Sequence, residues 1–189
     1  MSAIPSASSS AAPPRLARIR RLSRVMVVIC HAVAVLLPLG LAAFWLAAPA
    51  ELLAAQGKVP PGWLVSFGPL ERVVGLAISF ISLTPLVWGL TGAGLSFRSF
   101  AAGDLFGRQA TGGLRRFSLG LLFSAILQPV VMALLSVLMS WEAPAGQRQL
   151  VLGVSSDTLL VVLFAGMVAI IGWVLAEASV IAEENAQFV

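Results

Sequence analysis

Four apolar stretches constrain the fold of this chain more than any other feature. They cover about residues 25–48, 72–95, 117–141 and 158–176. A transmembrane helix needs about 20 mainly apolar residues, and each stretch is close to that length. Only 11% of the residues are charged, whereas roughly a quarter are charged in a soluble domain. The sequence therefore predicts an all-α integral membrane bundle of four transmembrane helices.

The basic residues predict how these spans are oriented. Of the 12 lysine and arginine residues, five lie in a juxtamembrane arm, residues 15–24, and four lie in an inner hairpin, residues 96–116. The other three are Lys58, Arg72 and Arg148. Basic residues concentrate in the cytoplasmic segments of membrane proteins. We therefore expect a multi-pass protein of the cell inner membrane, with both termini and the hairpin in the cytoplasm.

The segments around the membrane domain differ from it in composition. Residues 1–14 are rich in Ser, Ala and Pro without apolar periodicity, which predicts a disordered tail. The adjoining arm is expected to contact anionic lipid headgroups, at about 1 kcal/mol for each charge near the surface. A cleaved signal peptide is an alternative for this region, because it has a basic arm, an apolar run and the small residues 48–50 (Ala-Pro-Ala). The apolar run, however, is about twice the length of a signal core. Residues 25–189 are expected to form a single four-helix domain that ends in a cytoplasmic tail, residues 177–189.

The segment between the second and third spans is predicted to be a helical hairpin that projects into the cytoplasm. Gly103 suits the left-handed residue that comes after a helix end. Residues 104–106 would form the turn, and Gly107 would be the N-cap of the next helix. Each helix would then exceed about 30 residues, or roughly 45–50 Å, against a hydrocarbon layer of about 30 Å. A helix break at residues 112–113 is the alternative, because each glycine there costs about 1 kcal/mol relative to alanine.

The arginines of the hairpin and the acidic tail form a candidate interaction surface. Carboxylates near a helix C-terminus oppose the helix dipole by about 0.3–1 kcal/mol each. Nearby arginines would offset that effect, so we expect ion pairs between hairpin and tail, at about 0–1 kcal/mol for each exposed pair. A solvated acidic tail that keeps the C-terminus soluble is the alternative. The residues of the candidate surface are Arg98, Arg108, Arg115, Arg116, Glu183, Glu184 and Asn185.

The spans contain few polar residues and several glycines. His31 is the only histidine, and an ionisable group within a membrane is a functional candidate. Thr84 and Gln128 each precede a proline, and we expect these prolines at similar depths in antiparallel helices. His31, Thr84 and Gln128 form a candidate polar seam for a small solute; hydrogen bonding between packed helices is the alternative. Glycines predicted to allow close helix approach are Gly89, Gly92, Gly94, Gly166 and Gly172.

Short motifs in the hairpin and tail resemble a family of small bacterial four-pass membrane proteins. They are Gly103-Asp104-Leu105-Phe106, Leu114-Arg115-Arg116, and Ala182-Glu183-Glu184-Asn185 with the closing Phe188-Val189. The family, catalogued as domain of unknown function 2975, shows a Gly-x-x-Phe turn, a Leu-Arg pair and a Glu-Glu-Asn-like tail. This chain has Gly107 and Ala110 where the family has a Ser or Thr cap and commonly an Asn. Members are often encoded beside small helix-turn-helix regulators, so the resemblance implies a membrane partner for a cytoplasmic transcriptional regulator.

The motif content favours a non-enzymatic role. The sequence has no nucleotide-binding glycine loop, Cys/His metal spacing, serine nucleophile elbow or HExxH motif, so we expect no enzyme activity and no cofactor. The pI near 11 results from the positive-inside residues, and we expect no direct binding of nucleic acid. A regulatory or interaction protein that acts with a cytoplasmic partner is the main prediction. The alternatives are a small transporter or channel subunit, which would have to form a homo-oligomer around a pathway, and an assembly subunit of a larger membrane complex.

Overall fold

The computed structural model contains four long helices. It describes residues 14–49, 51–53, 68–104, 107–141, 150 and 156–187. The helices are α1 (Pro14–Ala47), α2 (Pro69–Ala102), α3 (Arg108–Met139) and α4 (Ser156–Gln187). All four are long and apolar enough to cross a membrane, and the described ranges contain no strand. The predicted all-α class with four potential transmembrane helices is confirmed.

Several sequence predictions fall outside the described residues. They concern the tail up to residue 13, Lys58, Arg148, Leu105, Phe106, Phe188 and Val189. Two ends of the molecule can be distinguished. The turn end is the one with the α2–α3 turn, residues 103–107. The far end is the opposite one, where α1 and α3 finish and α2 and α4 begin.

The helices continue beyond the predicted apolar spans. α1 starts at Pro14, the last residue of the predicted disordered tail, so the basic arm and the first span form one helix. α2 and α3 contain 34 and 32 residues, which confirms the predicted length of more than 30. α3 passes through Gly112 and Gly113 without interruption. The alternative of a break at these glycines is therefore not observed.

Each helix packs mainly on its neighbours along the chain. The most extensive interface joins α2 and α3, and the next are those of α1 with α2 and of α3 with α4. The outer faces of α1 and α4 carry large apolar side chains that protein does not cover, such as Val28 at 67% exposure and Ile170 at 62%. In water, exposing this surface would cost about 25 cal/mol per Å². A lipid environment removes that cost, so the exposed faces fit a membrane protein.

Glycines bring the backbones of α2 and α3 into close contact. A Cβ atom on Gly120 would lie 2.6 Å from the Cα of Gly89, and one on Gly113 would lie 2.5 Å from the carbonyl oxygen of Gly92. Both distances are too short for a side chain, so the interface depends on glycine at these positions. Such small residues let membrane helices pack at short range.

The predicted packing role of the span glycines is confirmed at three of five positions. Gly89 and Gly92 lie in the α2–α3 interface, and Gly94 faces His31 of α1. Gly172 makes only an ordinary contact with Leu114, at 3.5 Å. A Cβ atom on Gly166 would meet nothing within 4 Å, so the prediction is wrong there.

The register of α2 against α3 differs from the one expected from their prolines. The carbonyl of Pro85 lies against Gly120. Pro129 is nine residues further along α3, a distance of about 13 Å at 1.5 Å per residue. The prediction that the two prolines lie at similar depths is therefore wrong. The close glycine contacts set the register, and the positions of the prolines do not.

The α2–α3 turn closes through a Schellman motif and an aspartate. Gly103 has a φ angle of 96°, and the N–H groups of Gly103 and Asp104 donate to the carbonyls of Phe100 and Ser99 at 3.1 and 3.0 Å. This is the pattern of a left-handed residue after a helix end. The Asp104 carboxylate then accepts a hydrogen bond from the N–H of Gly107, the N-cap of α3, at 2.7 Å. The predicted roles of Gly103 and Gly107 are confirmed.

The far end contains an apolar core. Its centre is Trp45, which is only 1% exposed and whose indole N–H donates to the Ser79 hydroxyl at 3.0 Å. Gly75 leaves room for the indole, because a Cβ atom there would lie 2.8 Å from Cε3 of the ring. The other buried members of the cluster are Ala48, Leu53, Val131, Leu135 and Met139.

Arg72 of α2 closes the end of α1. Its Nη1 atom donates to the carbonyl oxygens of Trp45 and Ala48 at 3.1 and 2.9 Å, with a longer contact of 3.4 Å to that of Leu46. The last carbonyls of a helix have no partner within the helix. An arginine from the next helix therefore supplies the hydrogen bonds that α1 lacks at its C-terminus.

Replacing Arg72 with leucine is expected to lower the free energy of unfolding by about 1–2 kcal/mol, because partly buried carbonyls lose their charged donor. SDS-induced unfolding in detergent micelles, monitored by circular dichroism, measures the change. Arg72→Lys is the matched control, since an ammonium group keeps the charge and three donors. Equal losses in the two variants would contradict the capping role and point to side-chain packing alone.

Candidate functional site

The structure separates the three residues of the predicted polar seam. His31 lies near the turn end, where a Cβ atom on Gly94 would be 2.8 Å from its Cε1. Thr84 is ten residues from Gly94, or about 15 Å along α2. The Thr84 hydroxyl donates to the carbonyl of Phe80 in its own helix at 2.7 Å. Gln128 lines a pocket closer to the far end, so these three side chains do not share one site.

That pocket has a volume of about 400 Å³ and lies between α1, α2 and α3. Its polar lining comes from Ser79 and Ser82 of α2 and from Ser124 and Gln128 of α3. Ser79 and Ser82 donate to carbonyls of their own helix at 2.8 and 3.4 Å. The remaining lining is apolar apart from one glycine. The polar groups in this pocket are thus arranged on facing helices, with Gln128 as the largest of them.

His31 makes one hydrogen bond within α1 and one to Arg98 of α2. Its Nδ1 lies 2.7 Å from the carbonyl oxygen of Val27, and since a carbonyl only accepts, Nδ1 carries the proton. Arg98 donates from Nη2 to the other ring nitrogen, Nε2, at 3.4 Å. This arrangement uses a neutral imidazole. The geometry matches the interhelical hydrogen bonding that was the alternative to a functional histidine.

The four hairpin arginines divide into two pairs with different surroundings. Arg98 binds His31, and Arg116 stacks on Trp88 with its Cζ atom 4.7 Å from the ring centroid. The second contact is a cation–π interaction within the α2–α3 interface. Arg108 and Arg115 instead line a pocket between α3 and α4 and are exposed. The second pair has exposed guanidinium groups beside a pocket, whereas Arg98 is exposed but contacts His31.

The α3–α4 pocket has a volume of about 580 Å³. Its α3 wall is formed by Arg108, Thr111, Gly112, Arg115, Ser118 and Leu119. Its α4 wall is formed by Ala169, Gly172, Trp173 and Ala176. The α3 residues recur at intervals of three and four, so they occupy one face of the helix. The sequence contains the signal for this face. Arg108 and Arg115 are seven residues apart, so the same helical periodicity places them on one side of α3.

The basic arm lies against the α2–α3 turn. A Cβ atom on Gly103 would be 2.7 Å from Nη2 of Arg20, so the arm's guanidinium covers the turn glycine. Arg18, Arg21 and Arg24 of the same arm are exposed. The basic arm and the start of α3, which carries Arg108, therefore lie at the same end of the molecule.

The tail part of the predicted interaction surface has no described side chains. These residues are Glu183, Glu184 and Asn185. The tail backbone continues α4, and Gly172 faces Leu114 of α3. Glu183 is eleven residues beyond Gly172, or about 16 Å along the helix. The ion pairing of hairpin and tail stays a prediction, and this register favours Arg108 over Arg115 as the partner.

Fold and surface together define a four-helix multi-pass membrane protein with a basic turn end. Within the described residues, no group of three or more His, Cys, Asp or Glu side chains is placed to hold a metal ion. No family model, curated protein or solved structure matches the chain. The resemblance carried by the hairpin and tail motifs therefore stays a prediction.

Proposed function

We propose that this protein is a non-enzymatic regulatory or interaction protein of a bacterial inner membrane, with the turn end and both termini in the cytoplasm. Its basic turn end would bind a cytoplasmic partner, and the resemblance of the hairpin and tail motifs favours a transcriptional regulator. The contact of Arg20 with Gly103 is the observation that carries the proposal. This contact places two basic segments, far apart in sequence, at the same end of the molecule.

The distribution of exposed charge supports the proposed orientation. Arg18, Arg21 and Arg108 are exposed at the turn end. Among the described residues of the far end, Arg72 is the one basic side chain, and it donates hydrogen bonds to carbonyl oxygens of α1. The asymmetry agrees with the positive-inside rule. A positive surface also attracts a partner with an acidic face, because complementary potentials accelerate association and exclude wrong partners.

A photo-crosslinking side chain at Gln109 is expected to capture a cytoplasmic protein in living cells. Gln109 is exposed beside the turn, whereas Leu150 is exposed at the far end and provides the matched control. The same product is expected to be absent when the crosslinker is placed at Leu150. It should also be lost when residues 177–189 are deleted, because the interaction surface predicted from the sequence includes Glu183, Glu184 and Asn185.

Two results would count against this proposal. One is the absence of any crosslinked protein at Gln109 with the tail intact. The other is an identical product from Leu150, which would mean that the captured protein does not recognise the turn end. Recovery of this chain by crosslinking from the identified partner provides the reciprocal test.

A transporter or channel subunit is the second candidate, and the pocket of about 400 Å³ that Gln128 lines is the observation that favours it. Polar groups within spans are typical of solute pathways. Solute flux into vesicles that contain the protein, abolished by Gln128→Leu, would support this role. An assembly subunit would instead crosslink to another membrane protein from the exposed faces of α1 or α4.

A further inference from the structure

The α3–α4 pocket has the space for a ligand because its walls are built from small residues. A Cβ atom on Gly112 would meet nothing within 4 Å. The α4 wall contributes Ala169, Gly172 and Ala176, whose small or absent side chains leave the pocket unfilled. The volume of about 580 Å³ falls within the range of about 300–1,000 Å³ that is usual for small-molecule sites.

The charged hydrogen-bond donors of the pocket are its two arginines. The hydroxyl of Thr111 donates to the carbonyls of Gly107 and Arg108 at 3.3 and 3.4 Å, and that of Ser118 donates to the carbonyl of Arg115 at 2.9 Å. Both hydroxyl protons are thus used within α3. Arg108 and Arg115 lie seven residues apart, about two turns along the same face, and no carboxylate occurs among the described residues that line the pocket. Their guanidinium groups make the pocket a site for an anion.

The polarity of the pocket changes along its length. Arg108 is the first residue of α3, at the positive end of the helix dipole, which also favours an anion. Leu119 lies eleven residues deeper, about 16 Å along the axis, and lines the same pocket as Ala169 of α4. A molecule that fills this space has a negative group at one end and hydrocarbon at the other.

Trp173 indicates the depth of the pocket in the membrane. Its side chain is 75% exposed at the α4 wall. Tryptophan is enriched at the level of the lipid headgroups, because the indole is partly apolar and carries one polar N–H group. The arginine end of the pocket therefore opens into the headgroup layer, while Leu119 points toward the hydrocarbon.

We propose that the α3–α4 pocket binds an anionic phospholipid. Arg108 and Arg115 contact the headgroup phosphate, and an acyl chain runs past Leu119 and Ala169. Basic pockets between transmembrane helices are known to hold acidic headgroups. If the turn end is cytoplasmic, as proposed above, the lipid belongs to the cytoplasmic leaflet. Only this assignment of the leaflet rests on the proposed function. A soluble phosphate would use the two arginines but leave the apolar half of the pocket without a ligand group.

Lipid binding to the full-length protein, purified in mild detergent, is measured by native mass spectrometry. Dioleoyl phosphatidylglycerol is compared with dioleoyl phosphatidylcholine, which has the same acyl chains and a neutral headgroup. We expect a preference of about thirtyfold for the anionic lipid, from two arginine charges near the lipid surface. The double variant Arg108→Gln/Arg115→Gln should lose most of this preference.

Two further variants distinguish a pocket from general surface charge. Arg18→Gln/Arg21→Gln removes the same charge from the exposed arm. The headgroup contacts expected of the arm are with the bilayer surface and not with a lipid held in the pocket, so most of the preference should remain. Gly112→Leu keeps both arginines but fills the pocket. It should weaken binding of the anionic lipid about tenfold, because the lipid loses an apolar contact of about the size of one leucine side chain.

Several results would overturn the proposal. One is equal binding of the two lipids. Another is a loss of lipid preference in the arm variant as large as that in the Arg108→Gln/Arg115→Gln variant. A third is unchanged binding of the anionic lipid in Gly112→Leu. Displacement of the lipid by millimolar inorganic phosphate would assign the arginines to a soluble anion instead. The lipid-binding measurement uses purified protein without a partner. A negative result would therefore reject the lipid site and leave the proposed cytoplasmic partner, which the crosslinking experiment tests, unaffected.

Discussion

Replacing Trp45 with alanine is expected to lower the free energy of unfolding by about 3–5 kcal/mol, the usual range for removal of a buried aromatic side chain. Trp45 is 1% exposed and packs among the buried residues of α1 and α3 at the far end, including Val131 and Leu135. The loss of the indole leaves a cavity that these neighbours cannot fill without moving. Reversible unfolding of the detergent-solubilised protein by SDS measures the change.

Two controls separate the contributions of packing and hydrogen bonding at this position. Trp45→Phe keeps an aromatic ring but loses the hydrogen bond to Ser79, so it should cost about 1–2 kcal/mol. Ser79 itself keeps its hydrogen bond to the carbonyl of Gly75 at 2.8 Å. Leu46→Ala changes the adjacent side chain, which is 59% exposed, and should change stability by less than about 0.5 kcal/mol. Similar losses in Trp45→Ala and Leu46→Ala would contradict the assignment of Trp45 to the core.

The adjacent glycines of α3 are expected to respond to alanine in opposite directions. Gly113→Ala places a methyl group 2.5 Å from the Gly92 carbonyl and should lower the free energy of unfolding by about 1–3 kcal/mol through overpacking. Gly112→Ala meets nothing within 4 Å and should raise it by up to about 1 kcal/mol, because alanine favours a helix more than glycine does.

The pair of variants provides its own control, since the same methyl group is added at neighbouring positions of one helix. The same SDS titration gives both values, and Gly113→Ala is also expected to separate α2 from α3 in a spin-label distance measurement across the interface. Equal effects of the two substitutions would show that helix propensity, rather than helix contact, determines stability there.

The number and approximate positions of the long helices could be predicted from the sequence because they depend on local properties. Apolar stretches of suitable length separated by polar segments identified four potential membrane helices, and all four are present. The turn was equally local. Gly103 is the residue that takes a left-handed conformation without strain, and the structure has its φ angle at 96°.

The roles of individual side chains could not be predicted in the same way. Arg98, Arg115 and Arg116 were assigned to one surface, yet Arg98 binds a histidine, Arg116 stacks on a tryptophan, and Arg115 lines the α3–α4 pocket. The arginines lie close together in sequence, but each one faces a different direction around its helix. Which neighbour it meets depends on the rotation and register of two helices at once.

By itself, the sequence determined the class of this protein: an all-α chain with four helices long and apolar enough to cross a bilayer. Hydropathy and helix length are properties of a segment and its solvent, so no knowledge of neighbouring helices is needed. The tertiary structure alone decided the contacts, such as Gly113 on Gly92 and Arg72 on the end of α1. In a bilayer, an apolar side chain has nearly the same free energy against lipid as against protein. Close packing and hydrogen bonds therefore select the register of the helices. Those contacts form only when the helices are side by side.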